Sequence, residues 1–258
     1  HMPQLAKYGP WASSPRQALV TELASSPADV LASQRLRFHV FAEEMGARLP
    51  SADQGIDRDH YDDFCRHLLV READTGDVVA STRILSSEDA AAAGGFYSQS
   101  EFHLGPLESL PGRVMEVGRT CVRSDYRTGW AINALWTGLA RFMTARQFDF
   151  MMGCASIPLS PDEASGPALL RQLYQDHPAP EACRVSPRKP VPDRARGSAP
   201  PAPLPPLLKA YLRLGAWVCG EACWDPDFGV ADVFILLDVQ QVPDRYRRHF
   251  LREPVLIR

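Results

Sequence analysis

Residues 113–136 read RVMEVGRTCVRSDYRTGWAINALW. The first part is apolar enough to predict a central strand over 113–122, and the polar residues after it predict a turn over 123–129. Apolar residues then recur at helical spacing, which predicts a helix from Trp130 to Arg146. A strand that passes through a tight turn into a helix is therefore expected at the centre of the fold.

The start of this predicted helix has features of an anion site. Backbone N–H groups point outward at a helix start, and the helix dipole favours phosphate there. Gly129 allows a ligand to approach the backbone closely, and Arg127 can neutralise a charge beside it. An ordinary corner with a packing glycine explains the same residues equally well.

A second helix is predicted near the start of the chain. A cap hydroxyl, a first-turn proline and an early acid occur at 26–29, and together they are typical of a helix start. The helix is expected to run to about Met45, where Gly46 stops it. Spacing by four residues predicts that Arg37, Phe41 and Met45 share one face.

The remaining elements are assigned from periodicity and turn residues. Further strands are predicted at 67–73, 78–85, 148–154 and 232–239, and further helices at 86–93, 165–176, 207–214 and 244–251. Residues 47–64 are polar and acid-rich and are expected to form a loop. Eight of the 21 residues from 186 to 206 are proline, which predicts a long surface loop. With an N-terminal arm at 3–15, the sequence predicts a single domain over 3–258.

Composition excludes several classes of function. The chain has 258 residues and a net charge of −3, so a global nucleic-acid-binding surface is not expected. The six cysteines are scattered, and His60, His67 and His103 lack metal-ligand spacing, so no metal site is predicted. No apolar run is long enough to span a bilayer. The expected location is the cytoplasm, with contact at the inner face of the membrane left open.

The turn at 123–131 resembles the acyl-CoA loop of the GNAT acyltransferase superfamily. Its Tyr126-x-x-Gly129-x-Ala131 is similar to the family pattern Gln/Arg-x-x-Gly-x-Gly/Ala, although Tyr126 departs from the first position. The resemblance implies an α/β (α+β) fold with a central mixed twisted sheet flanked by helices. It also implies a phosphopantetheine-binding segment formed by Val122, Arg127, Thr128, Gly129, Trp130, Ala131 and Ile132.

Other motifs are similar to one branch of that superfamily. Arg37-Phe-His-Val-Phe41 resembles the Arg-x-x-Val-Phe helix of acyl-homoserine lactone synthases and ornithine N-acyltransferases. Asp59 and Asp62 match their Asp-x-x-Asp loop, and Arg83 matches their strand arginine. Glu116 and Arg119 match their Glu-x-x-Arg strand. Residues 205–216 resemble a segment that ornithine N-acyltransferases have and the lactone synthases lack. The resemblance spans about residues 30–250.

The resemblance implies an enzyme without a permanently bound cofactor. An acyl carrier protein, or alternatively coenzyme A, would present the acyl thioester on a phosphopantetheine arm that enters between splayed strands. Glu116 is the expected base, because an ammonium must lose a proton before it can attack, and Arg119 is expected to join it in catalysis. A strand N–H within 117–122 is expected to stabilise the oxyanion. The implied acceptor, ornithine, would be bound by Arg37, Phe41, Asp59, Asp62 and Arg83.

Alternatives remain open for these residues and for the function. Glu116 and Arg119 fall on opposite faces of a regular strand and need a bulge near Gly118 to act together; they could also form a structural ion pair. Asp59 and Asp62 could be solvated loop acids, and Arg37 and Arg83 could only fix the loop. Buried Cys121 and Cys154 are expected to be unreactive. The alternative functions are acylation of another amino acid such as glycine or lysine, a lactone-synthase-like reaction, or a non-catalytic module that binds acyl carrier protein.

Overall fold

The computed structural model describes residues 18–127, 129–160, 163–192 and 199–252. The strands are β1 (Leu19–Leu23), β2 (Arg66–Glu72), β3 (Val78–Ser86), β4 (Phe102–His103), β5 (Val114–Val122), β6 (Phe150–Pro158), β7 (Ser186–Pro187), β8 (Trp217–Val218), β9 (Cys223–Asp225) and β10 (Val230–Asp238). The α-helices are α1 (Pro27–Phe38), α2 (Ser87–Ala92), α3 (Trp130–Ala145), α4 (Ser165–Asp176), α5 (Pro206–Arg213) and α6 (Asp244–Arg252). The predicted arm at 3–15 lies outside the described residues.

The chain divides into two compact units. Among the described residues, the first comprises 18–85, 118–127, 129–147 and 245–252. Its strands are hydrogen-bonded in the order β1-β2-β3-β5. Helix α3 packs against β1 and β2, and Gly138 in this helix lies against Leu68 of β2. The buried stripe of α3 and the apolar centre of β2 thus form the core of this unit.

The described residues of the second unit are 86–117, 148–160, 163–192 and 199–244. Its strands run in the order β5-β6-β10-β8, and β9 also pairs with β10. β5 and β6 are parallel, and their ladder ends at Val117 and Gly153; β6 and β10 are antiparallel over nine residue pairs. Phe102 and Phe234 meet edge to face in the core, with ring centroids 5.6 Å apart.

The strands confirm the predicted fold class, a mixed sheet of eight strands flanked by helices. Gly76, at φ 75°, lies in the hairpin turn between β2 and β3. The predicted helices after the first, at 86–93, 130–146, 165–176, 207–214 and 244–251, form within two residues of their expected ends. Whether the two units make the single predicted domain stays a prediction.

The first helix begins as predicted but ends differently. Ser26 is the N-cap and accepts the N–H of Asp29, and Gly46 follows the helix at φ 76°. From His39 to Glu44 the chain is a π-helix, in which each N–H bonds five residues back rather than four. This change of period rotates later side chains, so the prediction of one shared face is wrong for Met45, which is 44% exposed while Arg37 and Phe41 are buried.

The described beginning of the proline-rich segment, 186–192, is bonded to other parts of the second unit, and the surface loop over 186–206 stays a prediction. Ser186–Pro187 forms β7, which pairs with β4. Lys189 accepts the N–H of Trp224, and Arg188 donates its N–H to Glu101. β1 and the short strands β4, β7, β8 and β9 were not predicted, because strands of two to five residues carry little periodicity.

Candidate active site

A buried set of arginines and aspartates lies in the first unit. Arg37, 1% exposed, donates from Nε to Asp57 Oδ2 at 2.8 Å and from Nη1 to Asp62 Oδ1 at 2.8 Å. Its Nη2 donates to the second oxygen of Asp62 at 3.1 Å. Arg37 thereby connects helix α1 to the loop at 57–62. The contact with Asp62 is bidentate, a geometry that the planar guanidinium of arginine provides.

Two further arginines complete this set. Arg83 of β3 donates from Nη1 to Asp62 Oδ1 at 2.9 Å and from Nη2 to Asp59 Oδ2 at 2.9 Å. Arg119 of β5 donates from Nε to Asp57 Oδ2 at 3.0 Å, and its Nη2 lies 3.5 Å from Asp59 Oδ2. We call these six residues the arginine–aspartate network.

The charges of the arginine–aspartate network balance, since three arginines face three aspartates. Burial alone acts to raise the pKa of Asp62, but Arg37 and Arg83 outweigh it and hold that pKa well below its usual range. Asp62 is therefore not the solvated loop acid that one reading of the sequence allowed. The pairing of Arg37 and Arg83 with loop acids is the arrangement that the alternative reading expected.

Arg119 has an unusual backbone. Its φ is 49°, in the left-handed region that non-glycine residues seldom adopt. A residue in this conformation interrupts the alternation of a strand, as it does in a β-bulge. The irregularity thus falls one residue after Gly118, where a bulge was expected, and it directs Arg119 to Asp57 and Asp59.

Glu116 lies in the second unit and is only 5% exposed. Its Oε1 accepts the backbone N–H of Tyr97 at 3.0 Å, and its Oε2 accepts that of Ser98 at 2.8 Å. Both donors come from a 3-10 turn, Tyr97–Ser100. Bonds from N–H donors to a carboxylate are strong and directional, so this turn fixes the orientation of the expected base. Sequence reasoning did not find the turn.

The predicted phosphopantetheine segment lies in the first unit, except that Thr128 is outside the described residues. Arg127 donates from Nε to the carbonyl of Val122 at 2.9 Å and from Nη2 to Glu44 Oε2. Gly129, at φ 129°, is the N-cap of α3 and offers no side-chain cap. The first-turn N–H groups of a helix have no intrahelical acceptor, which suits this helix start to an anion.

The departure at Tyr126 has a structural explanation. Its hydroxyl donates to Glu72, and burial together with this carboxylate raises the pKa of Tyr126. Trp130 and Ile132 are half-buried and Ala131 is fully buried. Tyr126 therefore fastens the turn to β2, while Arg127 is the charged residue beside the helix start.

Comparison with known proteins identifies the family. A family model described as an acetyltransferase (GNAT) domain matches residues 36–137, which include every predicted site residue. The L-ornithine N(alpha)-acyltransferase of Rhodobacter capsulatus is 36% identical over 246 residues, covering 89% of this chain and 93% of the relative. The chain belongs to the L-ornithine N(alpha)-acyltransferase family. The protein of that name from Rhizobium meliloti is 37% identical over 249 residues, with 90% and 84% covered.

A solved structure supports the fold of this acyltransferase. The CoA-dependent acyl-homoserine lactone synthase BjaI, with MTA, has a TM-score of 0.53 and 16% sequence identity, and the likeness covers 93% of each chain. The predicted GNAT fold, the ornithine N-acyltransferase branch and the assignment as an N-acyltransferase are thus confirmed.

Both cysteines considered as nucleophiles are poor ones. Burial raises the pKa of Cys121 to about 11. Burial also raises the pKa of Cys154 well above its ordinary value, and the carboxylates of Glu101 and Asp232 raise it further. A thiol that stays protonated is a weak nucleophile, so neither cysteine is suited to carry an acyl group.

One group of acidic residues that could bind a ligand was not identified from the sequence. Glu101, Asp225 and Asp232 of the second unit have carboxylate oxygens within 4.8 Å of one another. We call these three residues the acid cluster. Three oxygens at this separation could hold a cation. The signal in the sequence was Asp232, the one charged residue in the apolar run 230–237.

No helix among residues 18–127, 129–160, 163–192 and 199–252 is long and apolar enough to cross a membrane.

Proposed function

We propose that this chain transfers a (3-hydroxy)fatty acyl group from the phosphopantetheine thioester of acyl carrier protein to the α-amine of ornithine, which gives lyso-ornithine lipid. The observation that carries the proposal is the similarity along about nine-tenths of the chain to proteins named for Nα-acylation of L-ornithine. Because the product is amphipathic, we propose that the reaction takes place in the cytoplasm at the inner face of the membrane.

Glu116 acts as the base in this proposal. The α-ammonium gives a proton to its carboxylate, directly or through water, and the free amine attacks the thioester carbonyl. The C–N bond forms, a backbone N–H within 117–122 stabilises the oxyanion, and the C–S bond then breaks. The leaving thiolate takes up a proton as the amide forms. The two N–H bonds from the Tyr97–Ser100 turn support this role because they orient the carboxylate before substrate arrives.

The start of α3 binds the phosphate of the donor arm in this proposal. Gly129 leaves the helix start without a side-chain cap, and the helix dipole favours an anion there. Arg127, 43% exposed at its side chain, exchanges its contact with Glu44 for the phosphate. Basic residues then dock the acidic carrier protein: Arg123, Arg127, Arg141, Arg146, Arg245, Arg247 and Arg248.

The arginine–aspartate network has two parts in this proposal. Arg37, Asp62 and Arg83 are buried and paired with one another, so we assign them a positioning role, and we assign the same role to the buried Phe41. Asp59 and Arg119 are its more exposed members and are the ones we expect to contact substrate. Since the charges of this network already balance, it offers no surplus carboxylate to a cationic acceptor.

A thiol-release assay with single amino acids tests the proposal. The enzyme is mixed with 3-hydroxyacyl carrier protein and ornithine, lysine or glycine, and the acylated product is measured by mass spectrometry. We expect ornithine to give the fastest release and an Nα-acyl product, with acyl-CoA a poorer donor. Acylation of glycine without ornithine would contradict the acceptor, and thiol release with no amide product would contradict the reaction.

A further inference from the structure

The acid cluster holds negative charge in a buried place. Glu101 is 8% exposed and Asp232 is 4% exposed, and Asp225 is half-buried. Within the part of the chain that the structure describes, Glu101 Oε2 is buried without a hydrogen-bond partner. A buried carboxylate oxygen that lacks a donor costs free energy, so the cluster is arranged for a donor that comes from outside the chain.

The acid cluster is short of positive charge. No ion pair with arginine or lysine joins any of its three members in the described ranges. Burial and the neighbouring Asp232 raise the pKa of Glu101 far above its ordinary value. Ser156 Oγ donates to Asp232 Oδ1 at 2.7 Å, which orients that carboxylate without neutralising it.

Strand register places the acid cluster on the same face of the sheet as Glu116. Glu116 pairs with Met152 across the parallel ladder, and Asp232 pairs with Ser156 across the antiparallel one. Directly paired residues share a face, and so do residues two apart on one strand. Met152, Cys154 and Ser156 therefore form one row on β6 that runs from Glu116 toward Asp232.

Cys154, in the middle of this row, lies between Glu116 and the acid cluster. Ser98, whose N–H holds Glu116, lies 3.6 Å from Cys154 through its Oγ and the cysteine Sγ. Besides burial, the carboxylates of Glu101, Asp232 and Glu116 all raise the pKa of this one thiol. Glu101 also follows directly after the 3-10 turn that orients Glu116. The base and the acid cluster thus flank a single residue.

We propose that Glu101, Asp225 and Asp232 bind the side-chain ammonium of the amino-acid acceptor while its α-amine faces Glu116. The inference rests on the proposed function, since it assumes an acceptor with a cationic side chain. An ammonium has three N–H donors, one for each acidic side chain, and it supplies the positive charge that the cluster lacks. Asp225 and Asp232 lie outside the segment that matches GNAT domains in general, as expected for a group that reads the acceptor.

Kinetics with a matched pair of acceptors test this assignment. L-norvaline has the carbon chain of ornithine without the terminal amine. We expect Asp232→Asn and Asp225→Asn to raise the KM for ornithine by about 10- to 100-fold and to leave kcat/KM for norvaline and the KM for the acyl donor within about two-fold. Asp227→Asn, at an exposed acid two residues from Asp225, is the control and should change neither acceptor.

Other outcomes would overturn the assignment. Equal losses with ornithine and norvaline would mean that the cluster only supports Glu116, and an unchanged ornithine KM would mean that the ammonium binds elsewhere. Loss of wild-type activity in EDTA, restored by Mn²⁺, would make the cluster a metal site. Failure of the proposed function is seen separately, because the wild-type enzyme would then not acylate ornithine at all. Circular dichroism melts of each variant verify folding.

Discussion

The two buried groups of carboxylates in this protein differ in their balance of charge. In the arginine–aspartate network, each of three aspartates is bonded to arginine, whereas the acid cluster has three carboxylates and an oxygen without a donor. Buried acids that are all paired with arginine contribute to a specific structure. Buried acids without a cationic partner can bind a cationic ligand. The difference indicates that the first group shapes the fold and that the second receives substrate.

The largest expected effect lies outside both groups, at the base. Glu116→Gln keeps the shape of the side chain but cannot take a proton, so kcat should fall by about 100- to 10,000-fold. Initial rates of thiol release measure this loss, which should shrink at high pH because the amine is then already deprotonated. A rate near that of the wild type at neutral pH would remove Glu116 from this role.

Substitutions in the two groups should have different effects on the stability of the protein. Asp62→Asn leaves buried arginine charge without its partner and should lower the free energy of unfolding by about 3–5 kcal/mol. Asp232→Asn removes a buried acid that has no arginine or lysine partner within the described residues and should leave that free energy unchanged or raise it. Urea unfolding measures both, with Asp53→Asn in the exposed part of the same loop as the control. Similar losses in both variants would contradict the comparison.

The pH dependence of stability should have opposite signs in the two groups. The lowered pKa of Asp62 gives stability that is present above its ordinary pKa of 3.8 and is lost as the pH falls. The raised pKa of Glu101 acts the other way: above the ordinary value of 4.5 the unfolded chain releases a proton that the folded chain keeps, so stability falls as the pH rises. Burial, Asp232 and Asp225 raise the pKa of this carboxyl group, and a hydrogen bond with Cys154 lowers it.

Glu101→Gln should remove that dependence. Its free energy of unfolding should exceed that of the wild type by a margin that grows by about 1.4 kcal/mol per pH unit above the ordinary pKa. Urea unfolding across about pH 5 to 8 measures the margin, and Glu108→Gln at an exposed position should show none. A constant margin would mean that Glu101 is ionised in the folded protein.

The smallest effect is expected at the exposed donor segment. Arg127→Ala should raise the KM for acyl carrier protein by about two- to five-fold and leave the KM for ornithine unchanged. High salt should reduce the difference, since exposed charges are screened over about 8 Å. Arg66→Ala, at an exposed position on β2, is the control. An equal effect of both substitutions would place the contribution of Arg127 in net charge rather than in phosphate binding.

Local signals in the sequence predicted most of the fold. The capped start at Ser26 and the strand–turn–helix at 113–146 depend on residues close together in the chain, and both form. The π-helix at His39–Glu44 was not foreseen, because its sequence remains compatible with an ordinary helix. Motif resemblance singled out Arg37, Asp62 and Arg83, but it did not show that they are buried in a set whose charges balance.

Long-range contacts explain what the sequence did not reveal. Arg119 donates to Asp57, which is 62 residues earlier in the sequence. No local pattern therefore indicates that Asp57 belongs to the network. Glu101 and Asp232 are brought together only by the turn before β4 and the register of β10. Asp232 alone was a visible signal, as a charge inside a buried strand.

Thermal unfolding with and without L-ornithine, in the presence of a non-reactive acyl-pantetheine analogue, tests the central contrast most directly. For Asp62→Asn we predict a lower midpoint than the wild type and a retained rise on addition of ornithine. For Asp232→Asn we predict an unchanged or higher midpoint and no rise with ornithine. If instead the ornithine-dependent rise persists in Asp232→Asn and disappears in Asp62→Asn, the acceptor ammonium binds at the arginine–aspartate network and the contrast drawn between the two groups is wrong.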